Sequence, residues 1–393
     1  MTARLPLFLL ESSAPRSAWF PFAGVRPIAD LRAGALRLRE RWTFALGAEL
    51  RGIVDAGLGE AFTDIEPLPL RLHDAIVGPC VVARSDAAPA LRRLARVPEV
   101  QRLRIGDETV AWFLDAGERW HGIHETGVAA AIDGLLLRGA HDLVTALERL
   151  LADDISALAE PGRHALPSEA IVLGDAALVQ CRSARVEPGV VFDVRNGPIL
   201  LEADVEVRHG TRLEGPLYVA HGSRLLGGDI RGCSIGPKCT VRGELSSSCL
   251  LGYANKGHEG FVGHSVLGHW VNLGAGTTTS NLKNTYGSVR LDAPSGRIDT
   301  GRQFLGTLFG DHAKTAIGTL FSTGSLVGAG ANLFGGPPRK CTLPMAWGSD
   351  GGERLTRAGF LAIAERVLPR RQISWSADHA ATLGALYDRH SDS

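Results

Sequence analysis

The 393-residue sequence predicts three parts in chain order: an α/β domain over residues 1–160, a parallel β-helix of hexapeptide repeats over 171–345, and a short helical tail over 350–393. Three observations predict this. Short apolar runs alternate with helical patterns in the first 160 residues, aliphatic residues recur every six positions after that, and the 48 glycines concentrate in the repeat half. A six-residue period is the mark of short strands wound into a coil, and coil corners consume glycine.

In the first part the runs at 6–10, 32–46, 75–83, 87–94 and 140–151 read as the strands and helices of an α/β layer. Gly106-Asp107 reads as a turn. The stretch Ala159-Glu160-Pro161-Gly162-Arg163-His164 reads as a hinge, since Pro-Gly stops a helix and the repeats begin soon after. In the second part Leu201, Val207, Leu213, Val219 and Leu225 fall six apart, followed more loosely by Ile235 and Val241, then by Leu267 and Leu273. Each step lays one strand with its aliphatic residue inward, and three steps close a triangular turn. Stacked turns bury a column that one turn could not, so residues 171–334 are expected to form one cooperative prism. Gly335-Gly336-Pro337-Pro338 breaks the repeat, and residues 353–367 and 378–387 carry helical apolar spacing.

Composition narrows the function classes. Forty-two acidic and forty-two basic side chains cancel, so no overall field points to nucleic acid or to a membrane surface, and any anion site is local. The six cysteines lack CxxC spacing and are expected to be reduced and buried. The N-terminal MTARLPLFLL is too short an apolar run for a signal peptide, and no later run reaches the roughly eighteen residues of a membrane helix, so a cytoplasmic protein is expected.

Chemistry concentrates in residues 255–286, NKGHEGFVGHSVLGHWVNLGAGTTTSNLKNTY, where His258 precedes a Gly-Ala-Gly segment and the asparagines Asn272 and Asn281. Taken singly, each is an ordinary corner residue, because histidine tolerates a solvated corner and asparagine accepts left-handed angles. Together they suit acyl transfer, in which an amine must lose a proton to a group titrating near neutral pH and an oxyanion must meet a donor.

From residue 256 to 286 the sequence resembles the acetyltransferase half of the bifunctional N-acetylglucosamine-1-phosphate uridyltransferase / glucosamine-1-phosphate acetyltransferases. The runs KGHEGFVGHSVLGHWVNLGAGTTTSNLKNTYGSV and TGRQFLGTLFGDHAKTAIGT, with WFPFAGVRPIADLRAGALRLRERW at 19–42, are similar to a shorter sister family of sugar nucleotidyltransferases, so the resemblance covers nearly the whole chain. It implies a left-handed coil, a trimer with sites between adjacent prisms, acetyl-CoA as donor and an amino-sugar 1-phosphate as acceptor. It implies His258, fourteen residues before the Asn272 of NLGAG, as general base, with Lys256, Asn272, Gly274, Ala275, Asn281 and Lys283 binding substrate or acyl donor. Two departures stand out: Phe261 replaces the family's tyrosine, and Ser246 and Ser247 replace its lysine pair. Other cations must then meet the phosphate, with Lys256, Lys283, Arg290 and Arg302 as candidates.

For the N-terminal half the resemblance implies nucleotidyl transfer from a nucleoside triphosphate with Mg2+, giving a sugar nucleotide such as UDP-N-acetylglucosamine. The usual Gly-rich loop is missing near residues 5–11, so Arg26, Asp30 and Arg32 are the candidate nucleotide-binding residues, the arginine forks suiting phosphate oxygens. No magnesium ligand stands out. Three rival readings remain: nucleotidyl transfer alone on an oligomerising prism, a non-catalytic sugar-nucleotide sensor, and a zinc hydratase. The last would use His264 and His269, with His221 or His312 as a third ligand.

Overall fold

The computed structural model describes residues 4–12, 16–54, 70–71, 76–160, 166 and 169–391. Most of the hinge read at 159–164 therefore lies outside the described residues.

In the N-terminal part a seven-stranded sheet places strand Pro6–Leu10 between two parallel partners, Glu49–Val54 and Cys80–Arg84. Beyond Cys80–Arg84 the sheet continues with Glu108–Leu114 running antiparallel, then Arg102–Ile105 and Ala129–Ala131. Ile105 pairs with Glu108 across Gly106-Asp107, with Gly106 at φ +58, so this dipeptide is the hairpin turn read from sequence. The run at 32–46 becomes helix only from Leu38. Before it, Arg32–Ala33 and Leu36–Arg37 pair across Gly34 at φ +64, where a Cβ would lie 2.1 Å from Asp154. Helix α1, Leu38–Leu46, starts where Glu40 accepts from the Arg37 backbone N–H at 2.7 Å and ends at left-handed Gly47.

After this sheet the chain winds into a parallel β-solenoid whose faces are sheets of nine, six and five strands. The aliphatic residues read at six-residue spacing are all inside: Leu201, Val207, Leu213, Val219, Leu225, Ile235, Val241, Leu267 and Leu273 share one core cluster. Along the nine-stranded face the register steps from Ile199 to Leu217, Tyr218 to Ser234, Ser234 to Cys249 and Cys249 to Val266, then jumps from Val266 to Leu308. The jump accommodates an insertion whose hairpin, Arg290–Ala293 with Gly296–Asp299, packs Leu291 and Ala293 into a cluster with Leu308 and Leu326 of the nine-stranded face. All six cysteines are free and five are buried.

Corners of the solenoid are made by residues in the left-handed region, and at one edge most of these are not glycines. Lys238, Tyr253, Trp270 and His312 hold this corner on four successive turns, followed by Gly330 and then Met345, with the five non-glycine residues at φ between 52 and 64. Each such corner costs roughly 1–2 kcal/mol of backbone energy. Ring stacking offsets it: Tyr253 lies 4.6 Å from Trp270, and Trp270 6.2 Å from His312. Onto this aromatic edge dock helices α3, Arg357–Val367, and α4, Ala377–Ser391, through Phe360, Leu383 and Leu386.

The N-terminal layer and the solenoid share one hydrophobic seam. Helix α2, Asp142–Leu158, carries Leu143, Val144, Leu147, Leu150, Leu151 and Ile155 on one stripe, and that stripe packs in a cluster with Leu200, Tyr218, Leu251 and Val266 of the nine-stranded face. Each fully buried aliphatic side chain there contributes about 1.5–3 kcal/mol. Among the described residues no helix is long and apolar enough to cross a membrane.

Candidate functional site

His258 sits on the corner that joins strand Asn255–Lys256 to strand Phe261–Gly263. It is exposed, while Lys256 just before it is 2 % exposed. The Lys256 ammonium donates to the carbonyls of His258, at 2.6 Å, and Arg242, at 2.7 Å. Burial pushes this lysine down to about 8. Lys256 thus braces the histidine's backbone from inside.

One turn further on, the NLGAG segment lies directly over this corner. Asn255 pairs with Asn272 in register, and its Nδ2 donates to Asn272 Oδ1 at 2.7 Å. The Gly276 N–H donates to Glu259 O at 2.9 Å, which seats Ala275-Gly276 against His258-Glu259. Gly274 is required by the coil itself: a Cβ there would lie 2.5 Å from the Ala316 carbonyl of the next turn. Expected from sequence as room for an acyl donor, this glycine also makes room for the backbone of the next turn. Ala275 is half-buried, and its carbonyl accepts from Gly318 N at 2.8 Å.

Asn281 and Lys283 stand at a different edge. Asn281 Nδ2 lies 2.8 Å from Nδ1 of His264, whose ring stacks on Phe304 at 5.2 Å. Burial pushes His264 down to about 4, so its imidazole is neutral and able to accept this bond. The Lys283 ammonium donates to the Ser288 carbonyl. The structure therefore gathers Lys256, His258, Asn272, Gly274 and Ala275 at one edge, with Asn281, Lys283 and His264 at the next. Of the other cations suggested for a phosphate, Arg302 is tied to Thr145 and Glu148 of α2, and Arg290 lies 3.8 Å from Asp299.

Arg26, Asp30 and Arg32, read from sequence as triphosphate ligands, lie in the seam with the solenoid, each no more than 7 % exposed. Arg26 bridges Asp30, at 2.6 Å, and Asp311, whose other oxygen accepts from the His269 N–H at 3.0 Å. Against the desolvation that opposes it, Arg39, Arg26 and Arg37 hold the Asp30 carboxyl down at about 2. Arg32 donates to Ala35 O and lies over the Tyr218 ring. Both guanidinium groups are thus held by partners within the seam.

In a doubly wound sheet ligands sit beyond the carboxyl ends of the strands, where the strand order reverses. Here that point is the end of Pro6–Leu10, beside the end of Cys80–Arg84. Sequence reasoning missed the residues that line it. Glu11 accepts from the backbone N–H groups of Ser12 and Ile28, at 3.2 and 3.1 Å, and from Ser85 Oγ at 3.2 Å. Burial pushes it up to about 7. Asp86, 1 % exposed, accepts from Ser12 Oγ at 2.7 Å and from Arg84 at 3.0 Å. The dipeptide Ser85-Asp86 at a strand end was the available signal. Among the described residues no group of three or more His, Cys, Asp or Glu side chains is placed to hold a metal ion alone. The neighbouring carboxyl groups of Glu11 and Asp86 are the oxygen donors magnesium takes, phosphates and water completing its shell.

Residues 7–162 match the family model described as sugar nucleotidyl transferase. Over 152 residues the chain is 30 % identical to a bifunctional sugar-1-phosphate nucleotidylyltransferase/acetyltransferase of Sulfurisphaera tokodaii, a match covering 36 % of each protein. It is 33 % identical over 86 residues to the bifunctional protein GlmU of Methanocaldococcus jannaschii, covering 22 % of this chain and 21 % of that protein. A third relative, the uncharacterized acetyltransferase YaiX of Escherichia coli (strain K12), is 25 % identical over 161 residues, 39 % of this chain and 69 % of that one. The match thus spans about a third of the first of these relatives and a fifth of the second. The resemblance to sugar nucleotidyltransferases and to their bifunctional relatives is borne out; the zinc hydratase, sensor and nucleotidyl-only readings gain no support.

Proposed function

We propose that this chain is a sugar-nucleotide enzyme whose solenoid transfers an acyl group, acetyl from acetyl-CoA, to an amino-sugar 1-phosphate. The observation that carries the reading is the exposed His258 on a corner braced by buried Lys256 and overlaid by the Ala275-Gly276 corner. The amine nitrogen of the sugar attacks the thioester carbonyl carbon while His258 takes its proton. The carbon–sulfur bond then breaks, the electron pair leaves on sulfur, and the imidazolium returns the proton to the thiolate. The Asn272 amide, whose oxygen is already engaged by Asn255, offers its NH2 to the substrate or the developing oxyanion. Asn281 and His264 belong to the neighbouring edge, and in a homotrimer such edges face the adjacent prism.

For the N-terminal sheet we propose nucleotidyl transfer: a sugar-phosphate oxygen attacks the α-phosphorus of a nucleoside triphosphate and pyrophosphate leaves. Asp86 and Glu11 would hold the magnesium ion, which when bound neutralises charge on the phosphates. Together the two sites would yield a UDP-N-acetylglucosamine-type product in the cytoplasm. The test is thiol release from acetyl-CoA across amino-sugar 1-phosphates, with pyrophosphate release measured in parallel. Sugar-dependent thiol release supports the acyltransferase; pyrophosphate release without thiol release refutes it in favour of nucleotidyl transfer alone.

A further inference from the structure

One cluster of cations is left unexplained by either reaction. On the face carrying Asn255, Asn272 and Lys314 in register, the turn Leu368–Arg371 between the two tail helices closes a cavity of about 170 Å³. Its polar lining is Asn255, Asn272, Lys314, Arg370 and Arg371, over a floor that includes Trp270. No carboxylate lines it. Arg371 donates to Thr240 Oγ1 at 3.2 Å and reaches Asn255 Oδ1 at 3.5 Å; the Lys314 ammonium donates to the His312 carbonyl, at 2.8 Å. Among the described residues none of the three cations is paired with an acid, and burial lowers both Lys314 and Arg371 from their ordinary values. Two fully buried arginines elsewhere in this fold are answered by carboxylates: Arg26 by Asp30 and Asp311, Arg41 by Asp154.

Lys314 and Arg371, part-buried without a counter-charge and with exposed Arg370 beside them, carry a desolvation cost that a bound anion would offset. The cavity is smaller than the roughly 300 Å³ at which pockets for whole small molecules begin, so it suits one anionic end of a longer ligand. Asn272 places it next to the NLGAG segment, and the sequence lacks the lysine pair that meets phosphate in the resembled family.

We propose that the pocket between Asn272-Lys314 and the Leu368–Arg371 turn is a phosphate-group site, taking the phosphorylated end of the acyl donor or of the sugar acceptor. The placement rests on the acyl-transfer reading of the Asn272 edge; the binding does not. The tail is then part of the site: Arg370 is brought to it only by the docking of α3 and α4 on the aromatic edge.

Calorimetric titration of the full chain at low salt tests this with three probes: inorganic pyrophosphate, adenosine 3′,5′-bisphosphate and glucosamine 1-phosphate. Wild type is expected to bind at least one, and the probe bound most tightly identifies the source. Lys314→Met with Arg370→Ala is expected to weaken binding tenfold or more, and Arg370→Lys to restore part of it, at unchanged thermal midpoints. Absence of binding by all three, or binding that the double variant leaves within twofold, overturns the proposal. His258→Ala is expected to bind as wild type does. If thiol release fails while probe binding persists, the acyltransferase reading fails alone; if thiol release persists without probe binding, the pocket proposal fails alone.

Discussion

The strand-end crevice of the N-terminal sheet and the edge pocket of the solenoid both gather arginines, but they differ in what meets the charge. In the crevice Arg84 is paired with Asp86 and Glu108, and the backbone N–H groups of Ser12 and Ile28, which could have faced a phosphate, face Glu11. In the solenoid pocket Lys314, Arg370 and Arg371 meet no acid among the described residues. Matched clusters hold structure together and must be rearranged before they bind; unmatched ones are ready for a ligand. The solenoid half is therefore the more prepared of the two sites.

The sharpest way to break this comparison is at a matched cluster. Arg26→Ala leaves Asp311 and Asp30 buried with less counter-charge, and is expected to destabilise the protein by about 3–5 kcal/mol in chemical denaturation, as loss of one partner of a buried pair does. A loss under about 1 kcal/mol, the level of exposed pairs, would remove the seam role. Next in size is His258→Ala, expected to lower acyl transfer by roughly 10²–10⁴-fold, the range of general-base contributions, with stability unchanged. Lys256→Met removes the donor to the part-buried carbonyl bonds of Arg242 and His258 and is expected to cost about 1 kcal/mol of stability. With the histidine still present, its effect on turnover should be smaller than that of His258→Ala; an equal loss would make Lys256 part of the chemistry.

The smallest effect is a pH dependence in the crevice. Because burial raises Glu11 from 4.5 to about 7, the folded state holds its proton longer than the unfolded state does. Stability from this group is then greatest below pH 4.5 and falls as pH rises toward 7, by at most about 1.4 kcal/mol per unit. Glu11→Gln, which keeps an acceptor for Ser12 and Ile28, is expected to flatten that slope in denaturation curves between pH 5 and 7. An unchanged slope would show that the carboxylate is solvated.

Much of the architecture was legible in the sequence, because a buried aliphatic column every six residues leaves a periodic trace: Leu201 through Leu225 all fell where the spacing put them. The aromatic edge was not legible. Tyr253, Trp270 and His312 are poor left-handed residues taken singly, and only their stacking across turns makes them corners. In the candidate site His258 and NLGAG were picked out by the family resemblance, and the structure stacks them. Arg26, Asp30 and Arg32 looked like ligands because the partner that fixes Arg26, Asp311, lies 285 residues away. Distance hid Lys314, Arg370 and Arg371 in the same way, since nothing local joins the tail turn to the repeat.

Thiol release from acetyl-CoA, measured for wild type, His258→Ala and His264→Ala with one amino-sugar 1-phosphate acceptor at matched thermal stability, tests the central claim most directly. Loss confined to His258→Ala, with His264→Ala retaining most of the rate, is the predicted result. Full activity in His258→Ala would contradict the assignment of the exposed corner histidine as the base.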